Sequence, residues 1–291
     1  MRRPALITAL LAGATAATLG LGLAAPAQAT AKPTAPEGAY VALGDSFSAG
    51  SGVLPLAPTA TPLCTQSAIN YPHLIAQRTG RSLTDVTCGG ATTADWTRRQ
   101  FGVVKPQLDA VTSDARLVTI GIGGNDSDLF IGMILKCATA GLTTLGLGSP
   151  CKNTYGSSFE TTIATKTYPD VSNAIAAVRA KAPNAAVVVS GYPQLLPATK
   201  GCFLTMPIAS GDVPYVNGVE QALNAAVKQA AIDNGATYVD MWAVSSGRDA
   251  CQKPSVRWVE PALLGTNYVP VHPNAAGEKA YADQIMATID L

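Results

Sequence analysis

The sequence predicts a three-layer α/β/α sandwich built on a five-stranded, mostly parallel sheet. Two observations carry that expectation. Short apolar runs recur that are near-continuous rather than alternating in hydrophobicity, the mark of strands buried on both faces. Between them lie segments with apolar residues at helical spacing, and such strand–helix alternation covers both faces of a parallel sheet with helices.

Taken in chain order, Tyr40–Leu43 (YVAL) is an apolar run that stops at Gly44. Leu83–Thr87 is a weaker strand. Leu117–Ile122 (LVTIGI) is strong and ends in Gly123-Gly124. Ala185–Ser190 (AAVVVS) is the clearest buried strand and stops at Gly191, and Thr237–Asp240 is a short fifth. Among the helices, Asp170–Lys181 opens on an acid and stops before Pro183. Val213–Asn234 places Val216, Val219, Leu223 and Val227 on one stripe, with Gly235 as the stop. Ala275–Ile289 closes the chain. In parallel sheets of this kind the site lies beyond the carboxyl ends of the strands, so the chemistry is sought in the residues just past each strand.

Composition bounds the partners. Hydrophobic residues make up 47% of the 291 and charged residues 13%, enough apolar surface for a sizeable core. Arg2 and Arg3 head an apolar stretch, Ala5–Leu23, and Ala27-Gln28-Ala29 fits the small-residue cleavage rule. Residues 1–29 are therefore expected to be a signal peptide, and 30–38 (TAKPTAPEG) a flexible leader. A transmembrane anchor is the alternative for the apolar stretch. Its small residues and its cleavage site speak against that, and no stable membrane anchor is expected after processing. The formal charge of +1 becomes −1 without residues 1–29, which hold two arginines and no acid. A near-neutral chain lacks the basic footprint of a nucleic-acid binder.

Cys64, Cys88, Cys137, Cys151, Cys202 and Cys251 form an even set, which in an exported protein suggests disulfides. Six cysteines allow fifteen connectivities; pairing nearest neighbours in sequence gives 64–88, 137–151 and 202–251. A metal site is not expected, because no Cys-x-x-Cys or adjacent histidine accompanies them.

After the first strand stands Gly44-Asp45-Ser46-Phe47-Ser48. A serine on the tight turn leaving a strand projects its hydroxyl into the cleft, and the preceding glycine permits the sharp path; a plain helix cap is the alternative. After the second strand comes Cys88-Gly89-Gly90-Ala91-Thr92-Thr93, whose glycines expose backbone N–H groups to an oxyanion or simply turn the chain. After the third comes Gly123-Gly124-Asn125-Asp126, where an asparagine amide suits an oxyanion donor or, alternatively, a turn. Only two histidines occur. His73 opens an apparent helix as a surface or capping residue, and His272, just before the last helix, is the better base by position.

Taken together, GDSFSAG, CGGATT, GIGGND and VPVHPNAAGE, in this order, resemble the SGNH (GDSL) hydrolase superfamily, and within it the secreted lipases and esterases of Streptomyces-type actinobacteria. The resemblance spans residues 39–291, so a single SGNH hydrolase domain with a flavodoxin-like sheet is implied. It implies Ser46 as nucleophile, His272 as base, and an oxyanion hole from the N–H groups of Ser46 and Gly90 and the side chain of Asn125. One feature departs from the family pattern: three residues before His272, where an aspartate is usual, stands Val269. A main-chain carbonyl, assigned to Val269, is therefore expected to orient the imidazole, with Asp240 or Asp249 as the competing acid.

The expected activity is a secreted, extracellular carboxylic ester hydrolase (lipase or esterase) acting on lipid or fatty-acyl esters, with no cofactor, no metal and a monomeric state. A phospholipase or carbohydrate acetylesterase is the alternative on the same scaffold. A secreted binding protein with a disabled site is the non-enzyme alternative. The apolar run Leu129–Leu135 either lines an acyl pocket or packs as plain core.

Overall fold

The computed structural model describes residues 32–291; the expected signal peptide and residues 30–31 lie outside the described residues. Five strands, β1 (Ala39–Gly44), β2 (Leu83–Asp85), β3 (Ala115–Gly121), β4 (Ala186–Ser190) and β5 (Thr237–Val239), form one sheet in the order β2-β1-β3-β4-β5. Every pairing is parallel, so the sheet is wholly rather than mostly parallel. The order changes direction between β1 and β3, and a crevice is expected at the carboxyl ends of those two strands. There Gly44 and Gly121 stand in register.

Nine helices accompany the strands among the described residues: α1 (Ser46–Ala49), α2 (Tyr71–Thr79), α3 (Phe130–Thr143), α4 (Pro150–Tyr155), α5 (Ser158–Thr162), α6 (Tyr168–Lys181), α7 (Val213–Asp233), α8 (Met241–Val244) and α9 (Ala275–Thr288). Strand side chains alternate between two cores. Val41, Leu43, Val118, Ile120, Val187 and Val189 pack with Val171, Ile175 and Val178 of α6 and Val216, Val219, Leu223 and Val227 of α7. Tyr40, Ala42, Leu117 and Val188 face the other way, onto Ile75 of α2 and Tyr281 and Ile285 of α9. Each fully buried aliphatic side chain contributes about 1.5–3 kcal/mol, and a helix layer on each face of the sheet follows from the two cores.

Boundaries differ from expectation where a side chain redirects the backbone. β2 stops at Asp85, whose carboxylate accepts from the Thr87 N–H and hydroxyl (3.0 and 2.6 Å) and turns the chain out of the sheet. The run Leu129–Leu135 opens α3, with Phe130, Met133 and Ile134 buried and Leu135 outside, so most of it is core. Part of the leader is fixed rather than free: the Ala35 N–H donates to the Asp290 carbonyl (2.8 Å) and the Asp290 N–H to the Pro33 carbonyl (2.9 Å).

The three disulfides join Cys64 to Cys88, Cys137 to Cys151 and Cys202 to Cys251, the nearest-neighbour scheme. They span 24, 14 and 49 residues, for which chain-entropy reasoning gives about 3 to 4 kcal/mol each. The first ties the segment after α1 to the turn carrying Gly89 and Gly90. Among the described residues no helix is long and apolar enough to cross a membrane.

Candidate active site

Ser46 is placed by a turn that only certain residues can make. Gly44 has φ 152°, and a Cβ there would meet the Gly121 carbonyl at 2.5 Å, so any side chain would push β1 off β3. Asp45 is the cap of α1, its Oδ1 accepting from the Phe47 N–H at 2.9 Å. Ser46 follows as the first helical residue. The capping reading of this tripeptide thus applies to Asp45, which leaves the Ser46 hydroxyl for other work.

That hydroxyl meets His272: Ser46 Oγ lies 2.7 Å from Nε2. The other ring nitrogen, Nδ1, lies 2.7 Å from the carbonyl of Pro270. A carbonyl can only accept, so Nδ1 carries the proton and Nε2 is left as the acceptor for the Ser46 hydroxyl. The acceptor is therefore Pro270, two residues before the histidine, and not Val269, three before it. The reason is Val271, whose φ of 61° is rare for a β-branched residue and folds the chain back within one residue. Such strain costs on the order of 1–3 kcal/mol and persists only where the surroundings over-determine it.

The surroundings here are explicit. The Val271 N–H donates to the Glu260 carbonyl (3.1 Å) and the Glu260 N–H to the His272 carbonyl (2.9 Å). The Glu260 carboxylate takes Nη2 of Arg257 (2.5 Å), the Thr266 N–H (2.7 Å) and Nδ2 of Asn274 (2.9 Å). Burial alone would raise the Glu260 carboxyl, but these bonds outweigh it and hold it below the usual range. Asn274 also caps α9. The His272 ring packs on Phe47, with centroids 5.1 Å apart. Burial lowers its pKa below the ordinary 6.5, against a smaller upward effect of the Pro270 bond, so the imidazole is held neutral as a base must be.

The segments expected to supply an oxyanion hole are bonded to one another. Nδ2 of Asn125 donates to the Ala91 carbonyl (3.0 Å), and Asp126 accepts from the Thr93 hydroxyl (2.6 Å). The Cys88 N–H donates to the Gly44 carbonyl (3.1 Å) and the Asp45 N–H to the Gly121 carbonyl (2.9 Å), so both segments rim the end of β1. Gly90 is exposed, with φ 74°. Among the described residues, neither the Ser46 nor the Gly90 N–H takes part in the backbone bonds of the loops and turns.

Two contributors, Tyr192 and Phe47, were not singled out from the sequence. Tyr192 donates its hydroxyl to Asp45 Oδ2 (2.6 Å) and accepts from the Gly124 N–H (2.8 Å), joining the serine turn to the Asn125 segment. Burial pushes the Asp45 carboxyl up to about 7, against the lowering effect of that tyrosine. Phe47 packs at once on His272, Tyr192 and Phe130. The tyrosine follows Gly191, just past the end of β4.

The remaining candidates lie elsewhere. Asp240 caps α8 through the Ala243 N–H, and Asp249 accepts from the Cys251 N–H and Gln252 Nε2; neither bonds His272. His73 shares Asn70 Oδ1 at the start of α2. Among the described residues no group of three or more His, Cys, Asp or Glu side chains could hold a metal ion. A cavity of about 650 Å³ opens at the opposite end of β1, lined by Thr34, Glu37, Gly38, Arg81, Ser82 and Asp290, and holds neither Ser46 nor His272.

The chain is similar to known proteins. The model of the GDSL-like Lipase/Acylhydrolase family matches residues 42–280. Lipase 2 of Streptomyces coelicolor is 52% identical over 300 residues, covering 100% of both chains. The crystal structure of phospholipase A1 from Streptomyces albidoflavus superposes with a TM-score of 0.73 at 28% identity, covering 87% of this chain and 100% of that one. The extracellular lipase of Streptomyces rimosus gives 0.71 at 27%, covering 86% and 99%.

Proposed function

This chain belongs to the GDSL-like lipase/acylhydrolase family and is a carboxylic ester hydrolase; from that premise we propose that it is an exported enzyme cleaving fatty-acyl esters through an acyl-enzyme on Ser46. The observation that carries the mechanism is the unbroken chain from Ser46 Oγ through the His272 ring to the Pro270 carbonyl, 2.7 Å at each link. His272 Nε2 takes the serine proton as Oγ attacks the ester carbon. The oxyanion is held by the N–H groups of Ser46 and Gly90 and by the Asn125 amide. The intermediate collapses, and the leaving alcohol takes the proton from Nε2. Water, deprotonated by the same nitrogen, attacks the acyl-enzyme; the carboxylic acid leaves and Ser46 is restored. Pro270 fixes the tautomer, so the base works as a dyad without a carboxylate.

Export rests on the features of residues 1–29 and on the three disulfides, which persist in oxidising compartments. Lipid acyl esters are favoured because relatives are named lipase; the likeness to a phospholipase A1 keeps phospholipids as a second substrate to test. In the decisive experiment, an organophosphonate labels the wild type at Ser46, and Ser46→Ala and His272→Ala each lower kcat on octanoyl esters about 10⁴-fold or more. Asn125→Ala lowers it about 10²–10³-fold. Label on another residue, or an active Ser46→Ala variant, would overturn the assignment. An acetyl-to-palmitoyl series with a phosphatidylcholine arm then ranks the substrates.

A further inference from the structure

The 20 basic and 19 acidic side chains of the sequence are unevenly spread. Residues 46–77, 137–151, 201–211 and 261–277 hold none of them. These four stretches belong to one rim. The second touches the third: the Ser210 N–H donates to the Gly146 carbonyl (2.9 Å), and a Cβ on Gly146 would run into the Phe203 ring. The third touches the fourth, through the Leu263 N–H and the Thr205 carbonyl (3.0 Å). The fourth touches the first, since a Cβ on Gly52 would lie 3.2 Å from that of Val269. The fourth stretch also carries His272, and the first begins with Ser46.

On this uncharged rim stand large apolar side chains in the open. Leu145, Leu204 and Leu264 are 82–85% exposed, and Leu54, Leu147 and Tyr268 at least half exposed. The loops of Leu145, Leu204 and Leu264 are pinned by the backbone bonds above. Leu145 and Leu264 moreover sit at φ 52° and 60°, a conformation that favours glycine. A leucine there strains the backbone and adds apolar surface to water. Large exposed apolar side chains gathered beside a site mark an interaction surface.

We infer that this leucine-tipped, uncharged rim around Ser46 and His272 is a docking surface for the uncharged face of an aggregated acyl-ester lipid. The inference rests on the ester-hydrolase reading and names the physical state of its substrate. The want of charge selects the occupant. A surface built for anionic headgroups would carry lysines and arginines, and a protein partner's interface would carry a polar rim. An uncharged rim gains by burying leucine side chains in an acyl layer.

The test separates the two readings. Leu145→Ser, Leu264→Ser and the double variant are compared with wild type on soluble butyryl ester and on a trioctanoylglycerol emulsion. The double variant is expected to keep soluble-ester kcat/KM within twofold, to lose at least tenfold on the emulsion, and to sediment less with phosphatidylcholine-coated droplets. Wild-type adsorption is expected to be unchanged in 1 M salt and by adding anionic lipid. Equal emulsion activity in variant and wild type, adsorption that requires anionic lipid or vanishes in salt, or parallel loss on the soluble ester would each overturn the docking surface. Absence of wild-type activity on the soluble ester would instead overturn the ester-hydrolase reading.

Discussion

The turn that carries Ser46 and the loop that carries His272 meet at 2.7 Å, yet they are held by different physics. The serine turn is local. Gly44, Asp45 and Ser46 are consecutive, and each does what its side chain dictates: absence of Cβ, a helix cap, a hydroxyl at the first helical position. The histidine loop is not local. Its strained Val271 is held by Glu260, itself held by Arg257, Thr266 and Asn274. A local device tolerates the loss of one partner; a buried ionic network does not. Arg257→Met removes the only cation bonded to buried Glu260 among the described residues, and breaking a buried pair from one side costs about 3–5 kcal/mol. Urea denaturation is expected to show that loss, with partial recovery in Arg257→Met/Glu260→Gln. A cost below about 1 kcal/mol would put the histidine loop on the same footing as the serine turn.

The serine side also has long-range ties, among them the Tyr192 hydroxyl on Asp45, which offers a smaller, pH-dependent effect. The Asp45 carboxyl is raised from 3.8 to about 7, chiefly by burial. A folded-state pKa above the unfolded value favours the folded state at low pH, and that contribution is lost as pH rises from about 4 through about 7. The Tyr192 hydroxyl opposes the rise by stabilising the ionised form. Tyr192→Phe should therefore cost little more than one hydrogen bond at pH 5 and more at pH 8, in the range of about 1–3 kcal/mol. Denaturation at the two pH values decides it: a gap that does not widen means the tyrosine does not support the charged carboxylate.

The same contrast governs what could be read from the sequence. The sheet was legible because parallel strands buried on both faces leave unbroken apolar runs such as Val187, Val188 and Val189. Ser46, Gly90 and Asn125 stood out as candidates because they come after strands in motifs of adjacent residues. The disulfides were legible because each joins cysteines that are nearest neighbours in sequence. Pro270 was missed because counting back from His272 presumes a regular chain, and no residue type announces φ 61° at a valine. Glu260 and Tyr192 were missed because their roles exist only once distant segments meet.

The smallest expected effect is also the sharpest. If Pro270 orients His272 through its main-chain carbonyl, the side chain at 270 is nearly irrelevant: Pro270→Ala keeps the acceptor and should change kcat by less than about threefold. Asp240→Asn and Asp249→Asn should do as little, since both carboxylates are spent on local N–H groups. A carboxylate partner would instead carry a loss near 10⁴-fold when made neutral. It would also raise the imidazole pKa, whereas burial with only a carbonyl partner lowers it below 6.5. Activity needs the neutral ring, so kcat/KM should rise with pH along a limb whose midpoint lies below 6.5, the ordinary histidine value. A midpoint above 7, or a thousandfold loss in either aspartate variant with folding intact, would replace the dyad by a triad and make the histidine loop depend on a side chain rather than on its backbone.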